Sequence, residues 1–267
     1  MLSSHTKEPM TALVTGASSG IGLEFSRQLA AMGHHLLLVS NQEEALQQTR
    51  KELEERYPGQ HFHSYFIDLT IADAADVLYE YCEKEGLEID ILVNNAGIFS
   101  FKKVLDTSPS YLNLYIDLHM RAVTQLCYRF GHAMAKRHKG YILNMSSMSC
   151  WMPMPGIAMY SATKSYIRVL SRALALELKE EGVSVTVACP GGIATDLFGL
   201  PRNLQRLGVR LQALATPQKF VKGALKRMFK RKKQYVNGFI NHLAVFFVPR
   251  LPDCVAMIIK HKMLDKK

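Results

Sequence analysis

The chain is short of several things, and each shortage closes off a class of protein. Five cysteines occur in 267 residues: Cys82, Cys127, Cys150, Cys189 and Cys254. None forms a CxxC pair, and an odd set of isolated thiols suits a reducing compartment rather than a disulfide framework. No apolar run reaches the ~18 uninterrupted residues of a membrane span. The opening MLSSHTKEPM lacks the apolar core of a signal sequence, so the expected location is cytoplasmic, with membrane association left open. His61 and His63 alternate on one stretch, yet no neighbouring Cys, Asp or Glu completes a ligand set, and no metal site is expected. The last shortage is of acid. Residues 197–252 hold 12 Lys+Arg and no Asp or Glu, whereas residues 1–196 hold 17 Lys+Arg against 21 Asp+Glu.

What is abundant is apolar residue, at 48% against 21% charged, enough to bury a large core and to exclude disorder. Neither repeats nor a flexible linker divide the chain, so residues 1–267 read as one domain. Short apolar runs alternate with amphipathic stretches. TALVTG (11–16), HLLLVS (35–40), HFHSYFIDL (61–69), IDILVNNAG (89–97), GYILNMSS (140–147) and VSVTVACPGG (183–192) read as strands. Helices are expected between them, one from about Ile21 to Met32 and a charged one over 42–57. Continuous apolar strands separated by helices predict an α/β fold, a Rossmann-like doubly wound parallel sheet with helices on both faces. Ligands then bind at the carboxyl ends of the strands.

VTGASSGIG sets Gly16, Gly20 and Gly22 between the first strand and the first helix. Such a tight turn brings backbone close to a pyrophosphate, whose charge a helix N-terminus favours, so a dinucleotide site is expected there. Ser18, Ser19 and Ile21 belong to the same turn. At the end of the second strand an acid would hold the two ribose hydroxyls of NAD and repel a 2′-phosphate. Ser40 and Asn41 stand there instead, which favours NADP and leaves NAD open. In YSATK, Tyr160 and Lys164 are four apart and share a helix face. A nearby ammonium favours the phenolate and lowers a tyrosine pKa that is otherwise about 10.

With the glycine turn these residues resemble the short-chain dehydrogenase/reductase family across roughly residues 11–196. The matching motifs are TGxxxGxG (Thr15 to Gly22), Asp68, NNAG (Asn94 to Gly97), Ser147, YxxxK (Tyr160, Lys164) and PGG followed by Thr195. The resemblance implies nicotinamide-dependent interconversion of a ketone and an alcohol. Tyr160 would be the general acid, Ser147 would position the carbonyl oxygen, and Lys164 would hold the nicotinamide ribose and tune Tyr160. Asp68 would meet adenine, and Asn95, Ala96 and Gly97 would lie along the cofactor. Pro190, Gly191, Ile193 and Thr195 would border its carboxamide and phosphates. One departure is His119, where family members carry an Asn that helps order a water relay to the lysine. His119 either packs in its helix or replaces the Asn, in which case its titration near neutrality would enter the pH profile.

The resemblance also places a variable substrate cover after Thr195, here 196–217, whose leucines and arginines suggest an amphipathic lid. The loop 147–159, rich in Met and containing Trp151 and Cys150, is expected to line a greasy pocket. PQKFVKGALKRMFKRKK reads as a helix burying Val221, Leu225, Met228 and Phe229. Residues 218–267 form a basic and apolar extension expected beside the substrate entrance. Its cations suit a peripheral membrane contact through 219–250, the head group of a substrate, or plain solvent; nucleic-acid binding fits poorly, because aromatic interleaving is missing. The tail loosely resembles the branch of very-long-chain 3-oxoacyl-CoA reductases and 17β-hydroxysteroid dehydrogenases. The expected substrate is therefore hydrophobic, a 3-oxoacyl thioester first and a steroid second. The competing class is a non-catalytic lipid- or membrane-associated module on the same fold. Family resemblance further implies a homodimer or homotetramer.

Overall fold

The computed structural model describes residues 8–195, 197, 201–210, 214–250, 252–255, 257 and 264. Parts of the expected lid (196, 198–200, 211–213) and most of 256–267 lie outside them. In chain order the elements are β1 (Thr11–Thr15), α1 (Gly20–Ala31), β2 (His35–Ser40), α2 (Glu43–Arg56), β3 (Phe62–Phe66), α3 (Ala74–Lys84) and β4 (Ile91–Asn94). Then come α4 (Pro109–Ile116), α5 (Ala122–Lys136), β5 (Gly140–Met145), α6 (Ala158–Glu177) and β6 (Val183–Cys189). The described chain continues through α7 (Arg202–Arg210), α8 (Pro217–Phe229), β7 (Gln234–Val236) and α9 (Phe239–Phe247).

The seven strands form one parallel sheet in the order β3-β2-β1-β4-β5-β6-β7. Side chains alternate across it, as the period of two requires. Leu13 of β1 with Leu37 and Val39 of β2 faces one core, which α3, α5 and α6 cover with Leu78, Leu126, Phe130 and Ile167. Ala12 and Val14 with Leu36 and Leu38 face the other, covered by α1, α2 and α8 through Phe25, Leu29, Leu46, Phe220 and Leu225. Each fully buried Leu or Phe contributes about 1.5–3 kcal/mol by leaving water. Burial on both faces explains the unbroken apolar runs, and the doubly wound expectation holds.

Several expected strands end early. β4 stops at Asn94 because the next amides turn away from the ladder: Asn95 N–H and Ala96 N–H both donate to Thr15 Oγ1, at 2.9 and 3.0 Å. β3 stops at Phe66, although Ile67 N–H still donates to Ser40 O at 3.1 Å. In the middle of the sheet Asn94 Nδ2 donates to Asn144 Oδ1 (2.8 Å), and Asn144 Nδ2 donates to Ser171 Oγ on α6 (2.9 Å). This buried polar chain fixes β4, β5 and α6 in one register, just below the strand ends that carry the site.

The cationic run lies elsewhere than expected. α8 ends at Phe229 with Phe220, Val221, Ala224, Leu225 and Met228 buried. Lys230 to Lys233 form the turn that enters β7. Arg231 donates to Gly182 O at 3.0 Å and stacks over Tyr141, beside the starts of β6 and β5. Because the strands are parallel, this turn sits at the amino end of the sheet, the length of a strand away from the end that carries ligands. The expectation of cations 230–233 at a substrate entrance is corrected: β7, three residues long, separates them from α9.

Replacing Asn144 by Ala strips partners from Asn94 and Ser171. Urea denaturation is expected to show a loss of about 1–3 kcal/mol, the cost of stranding buried polar groups; an unchanged midpoint would contradict the linking role.

Candidate active site

A cavity of about 1020 Å³ opens at the carboxyl ends of the strands, walled on one side by the glycine turn. Gly16 (φ +65°) and Gly20 (φ +55°) adopt the left-handed region that favours glycine. Gly22 does not line the cavity; a Cβ there would run into the Gly16 carbonyl, so this glycine lets α1 start hard against the turn. Ser18, Ser19 and Ile21 line the wall with Gly16 and Gly20. Ser18 Oγ lies 2.8 Å from Ser40 Oγ and donates to Gln42 Oε1 at 3.1 Å, while Gln42 N–H donates to Ser40 Oγ at 3.1 Å. Ser40, Asn41 and Gln42 thus form a neutral polar corner at the end of β2. Asp68 is exposed at the cavity edge, its Oδ1 accepting from Thr70 N–H at 2.9 Å.

The opposite wall comes from the loop after β4 and from α6. Asn95, Ala96 and Gly97 line it, with Asn95 Nδ2 tied to Thr15 O at 3.0 Å. A Cβ on Gly97 would stand 2.9 Å from His119 Nε2 and 3.5 Å from Lys164 Nζ, so the backbone passes close to both. Tyr160 and Lys164 occupy one face of α6 and line the cavity together, both buried, with the ammonium 5.6 Å from the phenol ring centre. Lys164 Nζ donates to Met145 O at 3.0 Å, and Ser146 Oγ donates to Lys164 O at 2.7 Å. Burial lowers the Lys164 pKa from its usual range to about 8. Burial also raises Tyr160 to about 12, against a partial opposing pull from its hydrogen bond with Ser147. The expectation that Lys164 depresses the phenol is therefore corrected: desolvation outweighs a cation held at this distance and shared with Met145.

Ser147 follows β5 and caps the short helical turn Met148–Trp151, accepting from Ser149 N–H at 3.2 Å. It sits beside Tyr160 rather than on the main cavity wall. His119 is fully buried in a wider π-type turn, Asp117–Arg121, inserted between α4 and α5. Its Nε2 accepts from Ile98 N–H at 3.0 Å, so Nδ1 carries the proton and donates to Thr163 Oγ1 at 3.0 Å. Thr163 in turn donates a hydrogen bond to Met159 O or Tyr160 O. Burial, then the Lys164 charge, hold His119 well below the usual histidine range. The expected titration near neutrality is thereby corrected: the ring stays neutral and locked.

After β6, Pro190 and Thr195 line the cavity, and the Thr195 side chain lies against Gly20. Ile193 is instead buried, bridged to Ala215, and Gly191 N–H donates to Asn237 Oδ1 at 2.9 Å. Gly191 is needed because Asn241 of α9 packs where a Cβ would be. The loop 147–159 contributes nothing to the large cavity among the described residues. Its Gly156, Ile157 and Met159 border a space of about 10 Å³ behind Tyr160, room for about one water. Trp151 lies under the Arg168 guanidinium at 4.4 Å, and Cys150 is a free thiol hydrogen-bonded to the free thiol of Cys189. The loop is thus drawn onto the core by its own large side chains. Sequence reasoning missed Gln42, Ser146 and the apolar floor Ile98, Leu114 and Leu118, and named Thr15 only within the glycine motif, not as the acceptor for the Asn95 and Ala96 amides. The threonine of TG could have been suspected, since it precedes the first glycine; the floor residues carry no local signal.

Among the described residues no three His, Cys, Asp or Glu side chains form a group that could hold a metal, and no helix is long and apolar enough to cross a membrane. A protein-family model described as short chain dehydrogenase matches residues 10–203. Very-long-chain 3-oxoacyl-CoA reductase-B of Danio rerio is 29% identical over 262 residues, 96% of this chain and 78% of that protein. The 17-beta-hydroxysteroid dehydrogenase type 3 of Mus musculus is 34% identical over 218 residues, 80% of this chain and 68% of that one. A solved short-chain dehydrogenase from Sphingobium yanoikuyae, in complex with NADPH, aligns with a TM-score of 0.78 and 26% identity, covering 97% of this chain and 96% of that chain. The glycine turn, the Tyr160–Lys164 face and this match across most of the chain agree, and the chain belongs to the short-chain dehydrogenase family of oxidoreductases.

Proposed function

We propose that the protein reduces a ketone on a hydrophobic, lipid-like substrate with NADPH, a 3-oxoacyl thioester being the first candidate and a steroid the second. The observation that carries this reading is that Tyr160 and Lys164 face the same cavity as the glycine turn. That turn suits a dinucleotide, because glycines in the left-handed region bring backbone and helix N-terminus to a pyrophosphate. NADP is supported by the neutral corner Ser40, Asn41 and Gln42, where no acid opposes a 2′-phosphate. It is also supported by the NADPH carried by the Sphingobium relative. The thioester is supported by the names of the relatives, and a greasy substrate by the floor Ile98, Leu114 and Leu118.

When bound, the nicotinamide supplies the hydride. Tyr160, which keeps its proton throughout the neutral range, donates it to the carbonyl oxygen as negative charge develops there. Ser147, in contact with Tyr160, orients that oxygen. Lys164 holds the ribose and stabilises the resulting phenolate. His119 serves as a positioning residue, setting Ile98 and Thr163 without changing charge.

Tyr160→Phe is expected to lower kcat for a 3-oxoacyl thioester about 10²–10⁴-fold, the usual contribution of a general acid; full activity in that variant would overturn the assignment. The pH profile has a definite sign. Lys164 is charged below about 8 and loses its proton above it. The kcat/KM for NADPH should therefore be level through neutrality and fall as pH rises through about 8. His119→Asn should leave that profile in place, since the ring it removes does not titrate near neutrality.

A peripheral membrane contact is supported by α9, which exposes Phe239 (77%), Ile240 (71%), Phe246 and Phe247, with Arg250 stacked on Phe246 at 4.0 Å. Large apolar groups beside cations suit an anionic lipid surface. The expected result is co-sedimentation with vesicles containing phosphatidylserine at low salt, lost in Phe239→Ser/Ile240→Ser. Retention in that variant would remove α9 from the contact. Exposed Tyr128, Val169 and Leu176 on α5 and α6 support self-association of the chain.

A further inference from the structure

α7 is amphipathic in the opposite sense to a cover over a greasy substrate. Arg202, Gln205, Arg206 and Val209 line the cavity, whereas Leu204 and Leu207 are about half exposed on the outer side, at 48% and 50%. Positions 202, 205, 206 and 209 fall on one helical face and 204 and 207 on the opposite one. Two guanidinium groups one turn apart thus stand over the cavity while the leucines face out. Among the described residues no carboxylate forms an ion pair with Arg202 or Arg206. Among the described residues Asp68 is the one acidic side chain on the cavity wall, against Lys164, Arg202 and Arg206. No acid occurs between 197 and 252 to neutralise them along the chain.

We propose that Arg202 and Arg206 form a binding pair for a phosphate monoester. Planar guanidinium forks match phosphate oxygens, and two of them suit the double charge of a monoester. The pyrophosphate of a dinucleotide has its own donors in the glycine turn and the start of α1. Near that turn Thr195 lies against Gly20, and Gln218 is hydrogen-bonded to Glu24 and Gln28 of α1. Resting on the reading above, two ligands bring such a monoester on the ribose of an adenine nucleotide: the 2′-phosphate of NADPH and the 3′-phosphate of a coenzyme A thioester.

Calorimetric titration of the full chain with NADPH, NADH, coenzyme A and 3′-dephospho-coenzyme A separates the sources without requiring turnover. In Arg202→Gln/Arg206→Gln, at least a tenfold weakening of NADPH with NADH unchanged assigns the pair to the cofactor. The same weakening of coenzyme A with the dephospho form unchanged assigns it to the substrate carrier. Either result supports the pair even if no thioester is turned over, so the substrate reading can fail alone. Changes below twofold for both phosphorylated ligands overturn the proposal. Equal losses with and without the monoester also overturn it, because they report a structural role. Leu204→Gln/Leu207→Gln, on the outer face of the same helix, should leave all four dissociation constants within twofold.

Discussion

The site depends on an ammonium kept out of water. Lys164 is buried, and its described hydrogen bond goes to the Met145 carbonyl at the end of β5, not to a carboxylate. A buried cation without a counter-charge is costly, and the cost appears as a pKa drawn down to about 8. Much of the surrounding structure serves that placement. Asn94, Asn144 and Ser171 lock β4, β5 and α6 together beneath it, Ser146 holds the α6 backbone at Lys164, and Gly97 lets the loop after β4 pass close by. The arrangement leaves a positive charge beside a tyrosine that retains its proton, in the wall of a cavity of about 1020 Å³.

His119 is held as a neutral hydrogen-bonding residue between two segments of the site wall. The π-type turn at Asp117–Arg121 holds the ring inside, where it accepts a hydrogen bond from the Ile98 amide and donates one to Thr163 Oγ1. Desolvation removes its ability to change charge near neutrality, so a residue known as a pH switch acts here as a fixed hydrogen-bonding spacer. Burial and the Ser147 hydrogen bond, rather than a titrating histidine, then set the proton affinity of Tyr160.

Features that depend on local chemistry were legible in the sequence. A glycine that must adopt positive φ, a Tyr and Lys four apart on a helix, and apolar runs buried on both faces each carry their signature within a few residues. Features set by the third dimension were not. Nothing in HMRAV states that His119 is desolvated, and the leucine and arginine pattern of α7 shows two faces without saying which turns inward. The cations 230–233 and the apolar helix after them are neighbours in sequence, yet β7 carries the chain from one end of the sheet to the other between them. Three residues are too few for a visible strand period, so that separation left no trace. The loop 147–159 misled for a related reason: Met148, Met152 and Trp151 pack on the core and on Arg168 and do not line the large cavity.

The most direct test of the buried ammonium is an NMR titration of the Lys164 ε-methylene in the full protein, assigned by comparison with Lys164→Arg. The account predicts a midpoint near 8, where burial has placed it. A midpoint at the ordinary lysine value of about 10.4 would mean that the ammonium remains solvated, and the link from burial to proton donation would fail.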